Sequence, residues 1–170
     1  MNNQERTIRQ FLKLQADLDE FCAEKRNTHK PYTNEHQNGD MLIACLVEIG
    51  ELANELAFFK YWKKNKNVNM DKVKDEFADV MHFILALNNI DELQPKIGAT
   101  LKGVYDKTFK TEDMQMMFHS LYKLVIEFES GKALIYLMTI GKSLGMTYDD
   151  IENAYDTKQK TNYERMRGDY

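Results

Sequence analysis

The sequence contains very few residues that break helices. Only 2 prolines and 8 glycines occur among its 170 residues, which leaves too few turn-forming positions for a sheet of many strands. Between them run long segments whose apolar residues recur with the helical period. We therefore exclude an all-β protein and predict an all-α fold, a helical bundle of five to six helices built as a single domain over residues 1–170.

Apolar periodicity also sets the approximate positions of the helices. The second predicted helix is apolar almost all round, which is typical of a helix at the centre of a bundle. Asp40 and Asp71 are predicted to cap the second and third helices, and residues 145–147 offer a cap to the last. The segment 91–110 is interpreted as an insertion-like connection. The predicted helices span residues 7–24, 40–63, 71–89, 113–129, 131–144 and 148–165.

The charge and the cysteines exclude several classes of protein. A net charge of −4 offers no basic surface to a nucleic-acid polymer. No apolar run reaches the length of about 18 residues that spans a membrane, and the first residues do not resemble a signal peptide, so we expect a soluble protein without membrane contact. Cys22 and Cys45 lie within predicted helices, which disfavours a disulfide and indicates the reducing cytoplasm.

The acidic residues of the second and third predicted helices recur at helical spacing. Glu48, Glu51 and Glu55 follow one another at i, i+3 and i+7, so they share one face of the second helix. Glu76 and Asp79 repeat the i, i+3 spacing on the third helix. If the two helices pack antiparallel across a short turn, the first two glutamates face Glu76 and Asp79.

Four facing carboxylates predict a metal site. Away from water they repel one another, unless they bind protons or a cation. Carboxylate oxygens prefer hard ions, so we predict Mg²⁺, with Mn²⁺ as the alternative. A single pair of acids at this spacing is most often a solvated surface, but two pairs on adjacent apolar helices favour the metal. A ferritin-like di-iron centre needs two Glu-x-x-His pairs, and His82 is the only histidine near these acids.

Basic residues gather at two other places. Lys158, Asn162 and Arg165 lie at i, i+4 and i+7 on one face of the last predicted helix, and their donors suit phosphate oxygens. Solvated cations that favour the C-terminal end of a helix are the alternative interpretation. A second basic cluster, which a solvated turn explains equally well, comprises Lys60, Lys63 and Lys64 around Trp62.

Four segments of the chain form motifs. They are LQADLD at 14–19, EIGELANELAFFKYW at 48–62, EFADVMHFIL at 76–85, and a closing pattern of Tyr155, Lys158, Asn162, Arg165 and Tyr170. Together they resemble the dimeric all-α dUTPases, a group within the MazG-related all-α NTP pyrophosphatases. The resemblance covers most of residues 10–90 and 148–170, whereas residues 91–147 match the variable insert of this group.

The resemblance implies a role for each motif residue. The Mg²⁺ ligands would be Glu48, Glu51, Glu76 and Asp79. The uracil base and the deoxyribose would contact Gln15, Asp19, Trp62, His82 and Phe83. The phosphates would contact Lys60, Lys158, Asn162, Arg165 and Tyr170.

The implied reaction is hydrolysis of dUTP, with dUDP as a second substrate, which keeps uracil out of DNA. A water molecule deprotonated by Glu48 or Glu51 would attack the α-phosphorus and release dUMP and pyrophosphate, while metal ions offset the charge of the triphosphate. The resemblance also implies a homodimer. Three alternatives stay open: a MazG-type pyrophosphatase with another base preference such as dCTP, a phage protein that binds a transcriptional repressor, and a structural bundle without a ligand.

Overall fold

Helices account for 75% of the computed structural model, which describes residues 5–33, 35–90 and 99–168. Within these ranges there is no strand, only an isolated antiparallel bridge between Thr7 and Thr100. The predicted all-α fold is confirmed, with seven helices in the described ranges instead of five or six; the additional one, α4, lies in the segment interpreted as a connection. The helices are α1 (Ile8–Arg26), α2 (Glu35–Leu56), α3 (Met70–Ile90), α4 (Leu101–Lys107), α5 (Met114–Ile126), α6 (Ser130–Ser143) and α7 (Tyr148–Arg167).

Reciprocal side-chain caps fix the beginnings of the first and last helices. Thr7 accepts a hydrogen bond from the backbone N–H of Gln10, and the Gln10 side chain accepts one from the backbone N–H of Thr7. Thr147 and Asp150 form the same capping box at α7. Such boxes satisfy N–H groups that have no partner inside the helix. The cap expected at residues 145–147 is thereby confirmed.

Both ends of α2 differ from the predicted ones. The helix begins at Glu35, so Asp40 lies inside the first turns and is not the cap. It ends at Leu56 and not near residue 63, because Ala57 adopts a left-handed backbone conformation with φ of 52° through which an α-helix does not continue. The apolar pattern persists beyond this residue, which explains why the pattern alone overextends the helix.

The cap of α3 also lies two residues earlier than predicted. The side-chain oxygen of Asn69 accepts hydrogen bonds from the backbone N–H groups of Asp71 and Lys72, at 3.0 and 3.4 Å. Asp71 itself is exposed in the first turn, where a negative charge favours the N-terminal end of a helix. Asn and Asp are both good caps, and the chain uses the first of the two.

The central helix of the bundle is α3. It packs against α1, α2, α6 and α7, and its apolar side chains are mostly buried. The prediction that α2 is buried on all sides is wrong, because Ile43 and Val47 are 60% and 51% exposed. Helix α2 therefore carries more apolar residues than one copy of the chain buries.

The segment predicted as a variable insert contributes to the core. Met117 and Leu121 of α5 and Leu137 of α6 are buried in the same apolar cluster as Phe77 of α3. Because α5 and α6 cover α2 and α3, they support the helices that carry the acidic residues. Low motif content in this segment thus coincides with a structural role.

Polar contacts attach α4 to the rest of the insert. The ammonium group of Lys142 donates to the backbone carbonyl oxygens of Tyr105 and Thr108, at 2.9 and 2.8 Å. The hydroxyl of Tyr105 donates to the carbonyl oxygen of Met146 at 2.7 Å. The two bonds from Lys142 supply a donor to carbonyl groups at the end of α4, where a helix lacks its own donors, and the Tyr105 bond ties α4 to the segment before α7.

The cysteines are free thiols, as predicted. Cys45 is buried in α2 and Cys22 is half-buried in α1. In the described ranges, no helix combines the length and the apolar character that crossing a bilayer requires.

Candidate metal centre and polar network

Three carboxylates from α2 and α3 meet between the two helices. One oxygen each from Glu48, Glu76 and Asp79 lies within 4.8 Å of the other two. Among the charges on the opposite helix, that of Asp79 raises the pKa of Glu48 most, and that of Glu51 raises the pKa of Glu76. The pairs Glu48–Asp79 and Glu51–Glu76 run in opposite order along the two helices. This is the order expected if the helices pack antiparallel.

Burial and mutual repulsion disfavour the charged forms of these carboxyl groups. Burial, followed by the charges of Asp79, Glu51 and Glu76, raises the pKa of Glu48 from 4.5 to about 7. Burial and neighbouring acids also raise the pKa of Glu76. At neutral pH the cluster therefore carries unfavourable negative charge, which a bound cation would relieve.

Glu51 lies at the edge of this cluster. Its side chain is exposed, and it is not a member of the group whose oxygen atoms lie within 4.8 Å. Its charge nevertheless raises the pKa of both Glu48 and Glu76. The structure thus brings three of the four predicted metal ligands together and places the fourth beside them.

A buried cation accompanies the carboxylates. Lys158 of α7 is 5% exposed, and its Nζ atom lies 2.5 Å from Asp79 and 2.9 Å from Asp75. Burial disfavours the ammonium ion, but its hydrogen bonds to the two aspartates raise the pKa of Lys158 overall. In return, burial raises the pKa of Asp79 while Lys158 opposes that rise. One positive charge is therefore built into the site.

The other predicted phosphate ligands of α7 follow Lys158 along the helix. Arg165 is exposed, and its charge lowers the pKa of Asp79 against the larger effect of burial. Asn162 is half-buried between the two cations. Tyr170 lies outside the described residues. The basic face of α7 is thus directed toward the acidic pair of helices.

A buried polar network connects α1 with α3. The side-chain amide of Gln15 donates to Asp19 at 2.9 Å, and the oxygen of that amide lies 2.6 Å from Nδ1 of His82. The hydroxyl of Tyr32 donates to the other oxygen of Asp19, and Asn89 donates weakly to the same hydroxyl at 3.4 Å. The structure brings together three of the five residues predicted for base and sugar, and it adds Tyr32.

His82 is neutral and oriented within this network. Burial lowers its pKa to about 4, and Nδ1 carries the hydrogen because the amide oxygen of Gln15 can only accept. The ring stacks on Tyr155 with ring centres 4.3 Å apart. Among the described residues, the hydroxyl of Tyr155 has no hydrogen-bond partner. Nε2 of His82 makes no hydrogen bond of ordinary geometry there, although the nearby backbone of Tyr155 opposes part of the fall in the pKa of His82. Buried polar atoms without partners are rare, so they mark this region as a candidate binding site.

The remaining predicted residues lie elsewhere or contribute packing. Trp62 is 61% exposed after α2 and contacts the rings of Phe59 and Tyr61. Lys60 donates to the backbone carbonyl of Asn54 at 3.1 Å. None of these contact partners belongs to the carboxylate cluster or to the polar network. Phe83, which follows His82, is half-buried against the core.

Two residues that contact the candidate site are not predicted from the sequence. Asp75 lies four residues before Asp79 on α3, and this i, i+4 spacing is a signal that places both on one face. Tyr32 offers no such signal, because it lies in a polar loop and reaches Asp19 only through the fold. Tyr155 belongs to the closing motif, and the structure gives it a place as the surface on which His82 stacks.

Comparison with known proteins assigns the family. A protein-family profile described as dUTPase matches residues 7–170, a range that contains the carboxylate cluster, Lys158 and the polar network. A search of curated proteins returned no match. The matched range covers nearly the whole chain, and its helical architecture agrees with the resemblance carried by the four motifs. The chain therefore belongs to the all-α dUTPase family and is a dUTP-hydrolysing enzyme.

Proposed function

We propose that the enzyme uses Mg²⁺ to hydrolyse dUTP to dUMP and pyrophosphate, with attack of water at the α-phosphorus, and that it also accepts dUDP. The observation that carries this proposal is the meeting of Glu48, Glu76 and Asp79 within 4.8 Å of one another, beside the buried Lys158. A triphosphate is polyanionic and would be repelled by these carboxylates. A divalent cation bound by both the carboxylates and the phosphates removes that repulsion.

The donor set fits a hard divalent cation. The three clustered groups offer only carboxylate oxygens, which suit Mg²⁺ and Mn²⁺ better than softer ions. Burial, together with the charges of the neighbouring acids, raises the pKa of Glu48, so its ionised form needs a cation beside it. We assign Glu48, Glu76 and Asp79 as ligands, with Glu51 as the fourth. When bound, Mg²⁺ supplies positive charge to the triphosphate and makes a water molecule easier to deprotonate.

The protein's own residues then orient the reactants. A carboxylate at the cluster, Glu48 or Glu51, accepts the proton of the attacking water. Glu51 suits this role because it is exposed and lies outside the closest group. Lys158 and Arg165, with Asn162 between them, donate to phosphate oxygens, and arginine can do so through two parallel hydrogen bonds. Lys60 and Tyr170 are assigned to the phosphates from the motif alone.

The polar network is proposed to hold the nucleoside. Gln15, Asp19 and His82 supply hydrogen-bonding groups of both kinds near the uracil, and Phe83 lies against the deoxyribose and disfavours a 2′-hydroxyl. Trp62 is assigned to the base from its motif. We place the enzyme in the cytoplasm as a homodimer, for which the exposed apolar residues of α2, Ile43 and Val47, provide support because such residues favour association.

A nucleotide panel tests the proposal. With Mg²⁺ present, dUTP should be hydrolysed at least about 100-fold more efficiently than dCTP, since a site built around hydrogen bonds strongly rejects a base that mismatches them. Thymine has the same hydrogen-bonding edge as uracil and differs by a methyl group at C5, so rejection of dTTP depends on the space around that atom and should be weaker, about 10-fold. Chelation with EDTA should abolish turnover, and Mn²⁺ should restore part of it. Equal turnover of all three nucleotides would contradict the assignment to dUTP, and turnover that survives chelation would contradict the metal.

A further inference from the structure

Tyr32 contacts the polar network from outside every motif. It lies in the loop between α1 and α2, after the buried Pro31, and its backbone has φ of 65°. Bulky residues rarely adopt this left-handed conformation, and strain of this kind persists where surrounding contacts enforce it. The hydroxyl of Tyr32 donates a hydrogen bond to Asp19 and accepts a weak one from Asn89.

Asp19 receives hydrogen bonds on both of its oxygens. Tyr32 donates to one oxygen and the amide of Gln15 donates to the other at 2.9 Å. An ionised carboxylate can only accept. Burial raises the pKa of Asp19 overall, and both hydrogen bonds oppose part of that rise, so the two donors favour the ionised, acceptor-only form.

The amide of Gln15 is therefore held in one of its two orientations. Its nitrogen faces Asp19 and its oxygen faces Nδ1–H of His82 at 2.6 Å. A half-turn of the amide would place its oxygen against the carboxylate, and this contact would be repulsive because it opposes two acceptors. The histidine does not decide the orientation, since its other tautomer would accept from the N–H₂ group at Nδ1. Asp19 is therefore the group that fixes the amide.

A fixed amide recognises one pyrimidine and rejects the other. Beyond these bonds, Gln15 keeps one N–H donor and one acceptor site on its oxygen. Uracil carries a donor at N3 between two carbonyl acceptors, whereas cytosine carries an acceptor at N3 and a donor at its amino group. An amide in one orientation matches one of these patterns, and an amide free to turn matches both.

We propose that Tyr32 is a positioning residue that fixes the orientation of Gln15 through Asp19, and thereby sets the preference for uracil over cytosine. The inference rests on the proposed function and deepens it, because it names the source of base selectivity. Tyr32 acts through Asp19 and needs no contact with the nucleotide. Asn89, which donates to the Tyr32 hydroxyl and also to the carbonyl of Leu12 at 3.0 Å, helps to place that hydroxyl.

The test compares two substrates in the same preparation of each variant. Tyr32→Phe removes only the hydroxyl, and we expect KM for dUTP to rise about 5- to 20-fold. This is at or below the effect of losing one direct hydrogen bond to a charged group, because Tyr32 acts on the base through Asp19 and Gln15. The value of kcat should change less than about twofold. The ratio of kcat/KM for dUTP to that for dCTP should fall about tenfold. This ratio is independent of the fraction of folded enzyme, so partial misfolding does not affect it.

Two further variants separate positioning from general stability. Asp19→Asn, whose amide can donate or accept, should lower the same ratio although Tyr32 is intact. Tyr105→Phe removes a comparable hydroxyl, whose bond to Met146 lies in the insert; it should lower the melting temperature and leave the ratio unchanged. Affinities for dUMP and dCMP, measured by calorimetry, give the same comparison without turnover.

Each outcome decides for or against the inference. An unchanged ratio in Tyr32→Phe, with unchanged relative affinities for dUMP and dCMP, would overturn it while leaving dUTP hydrolysis intact. A lower KM would overturn it too, because Tyr32 would then cover the pocket instead of orienting it. If the wild-type enzyme fails to hydrolyse dUTP, the proposed function fails, and the calorimetric ratios still decide the role of Tyr32.

Discussion

The carboxylate cluster and the polar network include residues one turn apart on α3, Asp79 and His82. They differ in whether the protein itself provides partners for their polar groups. In the network, Asp19 has two donors and Gln15 is bonded at both ends. In the cluster, burial and, after it, the charges of neighbouring acids raise the pKa values of Glu48 and Glu76. Buried polar groups that find protein partners form a preorganised surface, whereas groups that repel one another require a ligand.

The difference assigns distinct tasks to the two regions. Under the proposed function, the network is built by the chain itself, so its geometry would exist before the substrate arrives and could select among bases. The charged cluster would become favourable with a bound cation, so its proposed function would depend on the metal supply. Lys158 is intermediate, since it pairs with Asp79 and Asp75, whereas its charge opposes only part of the rise in the pKa of Glu48.

The largest effect on turnover is expected when one carboxylate of the cluster is removed. Glu76→Gln removes one of three clustered carboxylates while keeping the shape of the side chain, and we expect turnover of dUTP to fall about 100- to 1,000-fold. The stabilisation by Mg²⁺, measured as the rise in melting temperature, should shrink as well. Asp71→Asn, an exposed acid of the same helix, is the matched control and should stay within about twofold of wild type. Equal losses in both variants would contradict a specific metal centre.

The second prediction removes the built-in cation. Lys158→Met leaves Asp75 and Asp79 without their partner, and because Asp75 is 59% exposed we expect a loss of about 2 kcal/mol in the free energy of unfolding without metal. Mg²⁺ should restore part of this stability, since it also offsets the charge of Asp79. Chemical denaturation in EDTA measures the loss of stability, and denaturation in Mg²⁺ measures how much of it the metal restores.

The matched control for Lys158 lies on the same helix. Lys160 is 78% exposed and lies 3.8 Å from the exposed Glu164, so Lys160→Met should change stability by less than about 0.5 kcal/mol. If Lys158→Met behaves like this control, the buried ion pairs do not stabilise the folded enzyme.

The smallest expected effect is the pH dependence of the metal-free enzyme. The pKa of Glu48 is raised from 4.5 to about 7 in the folded state, so the folded state binds the proton more tightly than the unfolded state does. Ionisation therefore costs stability as pH rises from about 4.5 to about 7. Glu48→Gln removes this cost and should gain about 3–6 °C in melting temperature relative to wild type over that range.

The control for this pH dependence is the same melting comparison with Mg²⁺ bound. With saturating Mg²⁺ the advantage of Glu48→Gln should vanish or reverse, because the wild-type carboxylate then has a partner. A difference between the two proteins that is independent of pH in EDTA would show that Glu48 is not under electrostatic stress.

Much of the fold and of the cluster follows from local patterns in the sequence. Helical periodicity predicts an all-α chain, and the i, i+3 spacing predicts the faces on which Glu48 and Asp79 lie. These patterns depend only on the geometry of a helix. They fail where one residue decides the backbone, as at Ala57, whose left-handed conformation ends α2 within an apolar run.

The polar network is less accessible from the sequence because its contacts are long-range. His82 and Gln15 are separated by 67 positions, and only the resemblance places them in one pocket. Neither helical periodicity nor the resemblance predicts a role for Tyr32. It belongs to no motif, and its contact with Asp19 depends on how the loop folds. Burial of α2 is overestimated for a related reason: the apolar residues Ile43 and Val47 indicate contact with something, and a single chain does not supply it.

The central claim is that water attacks the α-phosphorus of dUTP at the carboxylate cluster. Hydrolysis of dUTP in ¹⁸O-labelled water with Mg²⁺, followed by mass spectrometry of the products, tests it most directly. Attack at the α-phosphorus forms the new P–O bond there and breaks the bond to the bridging oxygen, so one ¹⁸O atom should appear in dUMP and none in pyrophosphate. Label in pyrophosphate, or stepwise release of labelled phosphate, would contradict the account.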